Sequence, residues 1–216
     1  MRHSEYAWDR RKFRDRVFSW CEPLRELRPR LPFSRRPGLT LGIVSRLTPI
    51  KQFPLLFSLL TPVLKQFPGI NLEIFGSGGY ASVRDLRAAL APLGDRVRFW
   101  GMQADPATVY RQLDYVLSGL PEREALGLNL IEAQAAGTPV IAVDAPPFTE
   151  TVVHGASGFL YADPREDRGA AFGELIAALD AGLARPDPRL AAAHLAQFSP
   201  AAFQARVADA MADLAA

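Results

Sequence analysis

The sequence is poor in several residue types whose presence would define a class of protein. One cysteine in 216 residues, Cys21, cannot form an internal disulfide, and a reducing, cytoplasmic setting is expected. The three histidines, His3, His154 and His194, lack metal-ligand spacing, and neither a Walker loop nor a nucleophile elbow occurs. No apolar run approaches the ~18 to 20 residues of a membrane span. Met1-Arg2-His3-Ser4-Glu5 leads into charge where a signal peptide needs an apolar stretch, so neither a spanning nor an exported chain is expected. Lysine is scarce, with only Lys12, Lys51 and Lys65 among 25 basic residues, which singles each of them out.

With 49% apolar, 22% charged and 10% aromatic residues, the composition is that of an ordinary globular protein, long enough to bury a substantial core. The formal charge of +2 conceals a split. Residues 1 to 38 hold eleven Arg and Lys against five Asp and Glu, whereas the remainder holds fourteen against eighteen. A basic tail thus precedes a mildly acidic domain, which excludes the broad basic face of a nucleic-acid binder. The division expected is a tail or linker over residues 1–38 and a domain over 39–216, with closing helices from about residue 167.

After Gly38, short β-branched runs alternate with longer helical stretches, the pattern of a parallel sheet flanked by helices. Strands are predicted at Leu39–Val44, Asn71–Phe75, Arg96–Trp100, Tyr115–Ser118, Val140–Val143 and Gly158–Tyr161. Helices are predicted at Gln52–Gln66, Ala81–Leu93, Pro106–Leu113 and Gly127–Ala136, with a helical turn at Phe148–Val153. Three further helices, near Ala170–Leu183, Arg189–Gln197 and Pro200–Leu214, close the chain. The fold class is α/β, a doubly wound, Rossmann-like parallel sheet. Such sheets bind ligands beyond the carboxyl ends of their strands. There the sequence places Arg46 and Lys51, Gly76-Ser77-Gly78-Gly79, Gly101, Glu122 and Glu124, and Asp144 to Glu150. Cations, glycines and carboxylates together suit a ligand both anionic and rich in hydroxyls, such as a nucleoside diphosphate sugar.

Gly137 and Pro139 are stop signals for a helix that begins near Gly127 or Asn129. Its first residues, Leu126, Gly127, Leu128 and Asn129, would turn free amides and the positive dipole end to the crevice, where a phosphate is favoured. Glu124 precedes this helix and Glu132 lies within it. Were the step from Glu124 to Glu132 helical throughout, it would span ~12 Å, about the reach from a ribose to a hexose across a diphosphate. Carboxylates accept from paired hydroxyls, so each could hold one sugar.

The stretch from Leu41 to Asp163 resembles the C-terminal, donor-binding half of a retaining GT-B glycosyltransferase of family 4, the glycosyl transferases group 1. The motifs that carry the resemblance are Glu124-x7-Glu132, Arg46-x4-Lys51, Ile74-Phe75-Gly76-Ser77-Gly78, and Glu150-Thr-Val-Val-His-Gly155-Ala-Ser-Gly158. It implies that Arg46 and Lys51 neutralise the diphosphate as the nucleotide departs, that Glu132 grips the ribose and that Glu124 holds the transferred sugar. It further implies that the turn at Trp100, Gly101 and Met102 lies beside the base, and that Gly76, Ser77, Gly78 and Glu150 contact the donor. The implied reaction moves a sugar to an acceptor hydroxyl with retention, needing no cofactor and no obligatory metal. The absence of an Asp-x-Asp clamp agrees. Three features depart from the family pattern. Ser45 and Gln52 replace glycines that flank the arginine and lysine. Pro146 and Pro147 replace a double glycine and have no N–H to offer a donor oxygen. The chain also lacks room for the family's N-terminal, acceptor-binding domain, so a separate acceptor-binding subunit or domain is expected as partner.

In the tail, Phe13, Val17, Trp20, Leu24 and Leu27 form an amphipathic stripe amid arginines. It is read as packing on the domain or its last helix, or as a remnant of a fused gene. The sharper readings are a peripheral contact with anionic lipid through residues 6–28 and a docking helix for the acceptor subunit. Two other functions fit parts of the sequence. One is a non-catalytic nucleotide-sugar-binding module or truncated relic. The other, suggested by Gly76-Ser-Gly78-Gly-Tyr-Ala81, is an NAD-dependent oxidoreductase, which lacks an acidic residue at the end of the third strand to hold a ribose.

Overall fold

A computed structural model describes residues 33–121 and 124–215; the amphipathic stripe of residues 6–28, Cys21 and Glu122 lie outside the described residues. Six strands form one parallel sheet: β1 (Leu39–Val44), β2 (Ile70–Phe75), β3 (Val97–Gly101), β4 (Tyr115–Leu117), β5 (Val140–Val143) and β6 (Gly158–Tyr161). Their order is β3-β2-β1-β4-β5-β6. Every residue of β2, β4 and β5 is buried, as a parallel sheet covered on both faces requires.

The chain starts in the middle of the sheet, runs out to β3 and then crosses back over β1 to reach β4. Right-handed crossovers therefore place the two sets of helices on opposite faces. On one face lie α1 (Phe53–Leu64) and α2 (Tyr80–Leu90), packed together, with α7 (Ala170–Asp180) against α1. On the other lie α3 (Pro106–Arg111) and α4 (Leu128–Ala135), also in contact. Short α5 (Phe148–Thr151) joins β5 to β6, and α6 (Pro164–Asp167) precedes α7. The chain closes with α8 (Ala192–Ala196) and α9 (Pro200–Ala215), whose Phe203, Val207 and Met211 are exposed on one face.

The expected strands β1, β5 and β6 agree residue for residue, and the other three agree within one residue. Differences gather at helix ends, where glycine and proline decide. The helix expected to reach Leu93 stops at Leu90 and tightens into a 3-10 turn over Ala91–Arg96, because Pro92 has no amide and Gly94 turns at φ 58°. The one expected to reach Leu183 ends at Asp180, where Gly182 (φ 95°) lets the Leu183 amide return to the Ala178 carbonyl. The stretch Arg189–Gln197 divides into a 3-10 turn, Pro188–Ala191, and α8. Helix α6 was not expected; the Asp163 carboxylate caps it by accepting from the Arg165 amide at 2.9 Å.

Residues 33–38 form a strap over the β2–β3 face. Phe33 packs edge-on to Phe75 and Trp100, with ring centroids 5.0 and 5.4 Å away. Beneath it Glu73, fully buried in mid-strand, accepts from Arg98 (2.7 Å), the Trp100 indole (2.7 Å) and Arg36 (3.2 Å). Arg98 also donates to the Ser34 carbonyl, and Asn71 to that of Pro37.

Candidate functional site

The crevice opens where the winding reverses, between the carboxyl ends of β1 and β4, the position at which a doubly wound sheet takes its ligand. Three rim segments on the β1 side are bound edge to edge. The Ser45 amide donates to the Phe75 carbonyl (3.1 Å), that of Leu47 to Ser77 (2.8 Å) and that of Gly76 to Gly101 (2.8 Å). A Cβ at Gly76 would lie 1.9 Å from the Ser45 carbonyl oxygen, and one at Gly78 2.0 Å from that of Leu47. The glycines therefore serve close backbone approach, locking the segment that carries Arg46 onto the loop after β2. Arg46 itself is exposed at the rim and makes no ion pair among the described residues.

Lys51 ends a 3-10 turn, Pro49–Lys51, at the entry to α1. The loop after β4 passes close behind it, since a Cβ at Gly119 would lie 2.8 Å from the Lys51 carbonyl oxygen. Lys51 forms an ion pair with Glu124, whose other oxygen accepts from the Gly127 amide at 3.2 Å. Both side chains are largely shielded, at 18% and 15% exposure. Two residues 73 positions apart, one from each strand flanking the switch point, thus meet in the crevice.

Gly127 takes a left-handed conformation (φ 73°) as the cap of α4, which the other residue types adopt only with strain. The amides of Leu128 and Asn129 in the first turn make no hydrogen bond among the described residues. Leu126 is half-buried beside the cap, and the side chain of Leu128 is 63% exposed. One turn further on, exposed Glu132 accepts from the Tyr110 hydroxyl at 2.9 Å. Burial, and next to it the charge of Glu132, push the Tyr110 phenol far above its ordinary range, so it remains a donor. Sequence reasoning gave Tyr110 no role; the only signal was a phenol on the apolar side of a short helix, which must find a partner.

The remaining expected residues are at the rim, with two differences. At the turn after β3, Gly101 is half-buried and Met102 50% exposed, but the Trp100 side chain is turned into the Glu73 cluster with Arg98 over its ring. What this turn presents to a base is its backbone. The loop after β5 is closed as well as proline-bearing. The Asp144 amide donates to Tyr161, Ala145 to Val143, Phe148 and Thr149 to Ala145, and Glu150 to Pro147, so every N–H of this loop is engaged. The Glu150 side chain is exposed on α5. No helix among the described residues is long and apolar enough to cross a membrane.

A doubly wound parallel sheet with a lysine and a carboxylate meeting at its switch point defines a Rossmann-like domain, and comparison with known proteins makes the class specific. The chain belongs to the family Glycosyl transferases group 1, which matches residues 32–179. It is 33% identical over 150 residues to a phosphatidyl-myo-inositol mannosyltransferase of Mycobacterium tuberculosis, covering 67% of this chain and 39% of that protein. It is 36% identical over 126 residues to a D-inositol 3-phosphate glycosyltransferase of Segniliparus rotundus, covering 55% and 28%. The chain therefore spans about two fifths or less of the length of these relatives. Among solved structures, Anabaena HepE in complex with UDP superposes with a TM-score of 0.67 at 23% identity, over 94% of this chain and 54% of that one. The pneumococcal O-GlcNAc transferase GtfA in complex with UDP and GlcNAc gives 0.61 at 25% identity, over 75% and 33%.

Proposed function

We propose that this domain is the donor-binding half of a retaining glycosyltransferase that takes a nucleoside diphosphate sugar. The observation that carries the reading is Lys51 held against Glu124 at the switch point, beside the open amides of Leu128 and Asn129. The diphosphate would lie on those amides, neutralised by Lys51 and Arg46 rather than by a metal, while Glu124 holds the transferred sugar and Glu132 the ribose. The bond from the sugar C1 to the diphosphate oxygen breaks, an acceptor hydroxyl oxygen bonds to C1 and releases its proton, and the nucleoside diphosphate leaves. Cations placed where charge builds on that leaving group stabilise the transition state more than the ground state. An acceptor-binding domain or partner would supply the other wall of the site.

A second reading, a nucleotide-sugar-binding module without turnover, is favoured by the closed loop at Asp144 to Glu150. Calorimetry with UDP- and GDP-linked glucose, mannose and N-acetylglucosamine, followed by a donor-hydrolysis assay, separates the two. Micromolar binding with slow hydrolysis is expected of the half-enzyme and binding alone of the module, while a chain that binds none of these donors contradicts both.

A further inference from the structure

We infer that Tyr110 is a positioning residue for Glu132, fixing one carboxylate oxygen so that the other is presented to the ribose hydroxyls of the donor. The inference rests on the proposed role of Glu132 and adds to it the group that orients that residue. Tyr110 is anchored at both ends. The residue is only 2% exposed, and its carbonyl accepts from the Thr138 hydroxyl at 2.7 Å, in the turn that stops α4. Its hydroxyl then reaches across from α3 to α4 and donates to Oε2 of Glu132 at 2.9 Å. Helices α3 and α4 are thereby joined at two points, one at the end of α4 and one in its body.

The consequence concerns the carboxylate. Glu132 is exposed on a helix surface, where a three-torsion side chain ordinarily samples many rotamers and must be ordered each time it binds. Here one oxygen is pinned by a buried donor, while Oε1 accepts no hydrogen bond among the described residues. An anchored carboxylate with one open oxygen is pre-organised to accept from vicinal hydroxyls, and the ordering is done before the ligand arrives. No other side chain donates to Glu132 among the described residues, so the orientation depends on the one hydroxyl that Tyr110→Phe removes.

The test uses the full chain and reads binding of UDP and GDP against their 2′-deoxy counterparts by calorimetry. The wild-type chain should prefer a ribonucleotide over its deoxy form by about tenfold, the worth of a hydrogen bond to a charged group. Tyr110→Phe should erase most of that preference, leaving deoxynucleotide affinity unchanged. A merely structural loss would weaken both nucleotides in parallel and leave the ratio intact. Tyr110→Phe keeps the buried ring and removes only the hydroxyl, and its melting temperature, read alongside, shows that the variant is folded; Glu132→Asp, which withdraws the carboxylate by one methylene, should erase the preference as well and tests the ribose role. If Glu132→Ala abolishes the preference while Tyr110→Phe retains it in full, the positioning role is overturned and the ribose role stands. A preference that survives Glu132→Ala, or a wild-type chain without one, overturns both.

Discussion

Lys51→Ala is expected to reduce donor turnover by about 10²- to 10³-fold, the usual effect of deleting one preorganised charge opposite a developing anion. Donor affinity should fall with it, because Lys51 is the one shielded cation in the crevice among the described residues; Arg46 is exposed at the rim, where water and salt screen it. Lys51→Arg should recover only part of the loss. The Lys51 ammonium sits largely shielded against the Glu124 carboxylate, and a broad guanidinium cannot repeat the geometry of a compact ammonium there. The pairing also gives a counter-experiment. Glu124 and a diphosphate compete for the same ammonium, so Glu124→Gln should tighten binding of UDP or GDP severalfold while slowing sugar transfer. Calorimetry with the free nucleotide and a transfer or hydrolysis assay with the sugar-linked one read the two effects separately. Unchanged affinity and rate in Lys51→Ala would remove the site assignment.

Why the crevice could be read from the sequence, and its supports could not, follows from the range of the interactions involved. Lys51 and Glu124 each follow a strand by seven residues, and in a parallel sheet every such loop leaves from the same edge whatever the register. Their meeting needs only the strand order. The strands were legible for a similar reason: β5 is a buried run between Pro139 and Asp144, with no competing periodicity. Glu73 shows the opposite case. In Ile70–Phe75 it reads as a charge interrupting an apolar strand, and nothing local shows that Arg98 lies beside it in the β2–β3 register or that Trp100 follows on the same face. The resemblance implies a place beside the base for the turn at Trp100, but the indole itself is committed to Glu73. Tyr110 has the same character, since its partner is 22 residues away on another helix. Charges at an edge are legible from topology; paired groups across elements need register and rotamer.

Glu73→Ala is expected to destabilise the domain by about 3 to 5 kcal/mol, the cost of removing one partner from a buried ion pair. The Glu73 side chain is fully buried and is the common acceptor for Arg98, Arg36 and the Trp100 indole. Its loss leaves two guanidinium groups that are each only about a quarter exposed, and an indole N–H, without the carboxylate they share. For a domain of this size such a change lowers the melting temperature by about 10 °C. Glu73→Gln should cost less, because an amide oxygen still accepts although the charge is gone. The effect should also reach the site. Arg98 and Arg36 tie Phe33 and the strap to β3, and β3 ends at Gly101, whose carbonyl holds the Gly76 amide at the rim. At a temperature where the variant remains folded, nucleotide affinity should therefore weaken modestly, by severalfold rather than by the hundredfold range expected of Lys51→Ala. If Glu73→Ala melts within about 2 °C of the wild type, the cluster contributes no net stability.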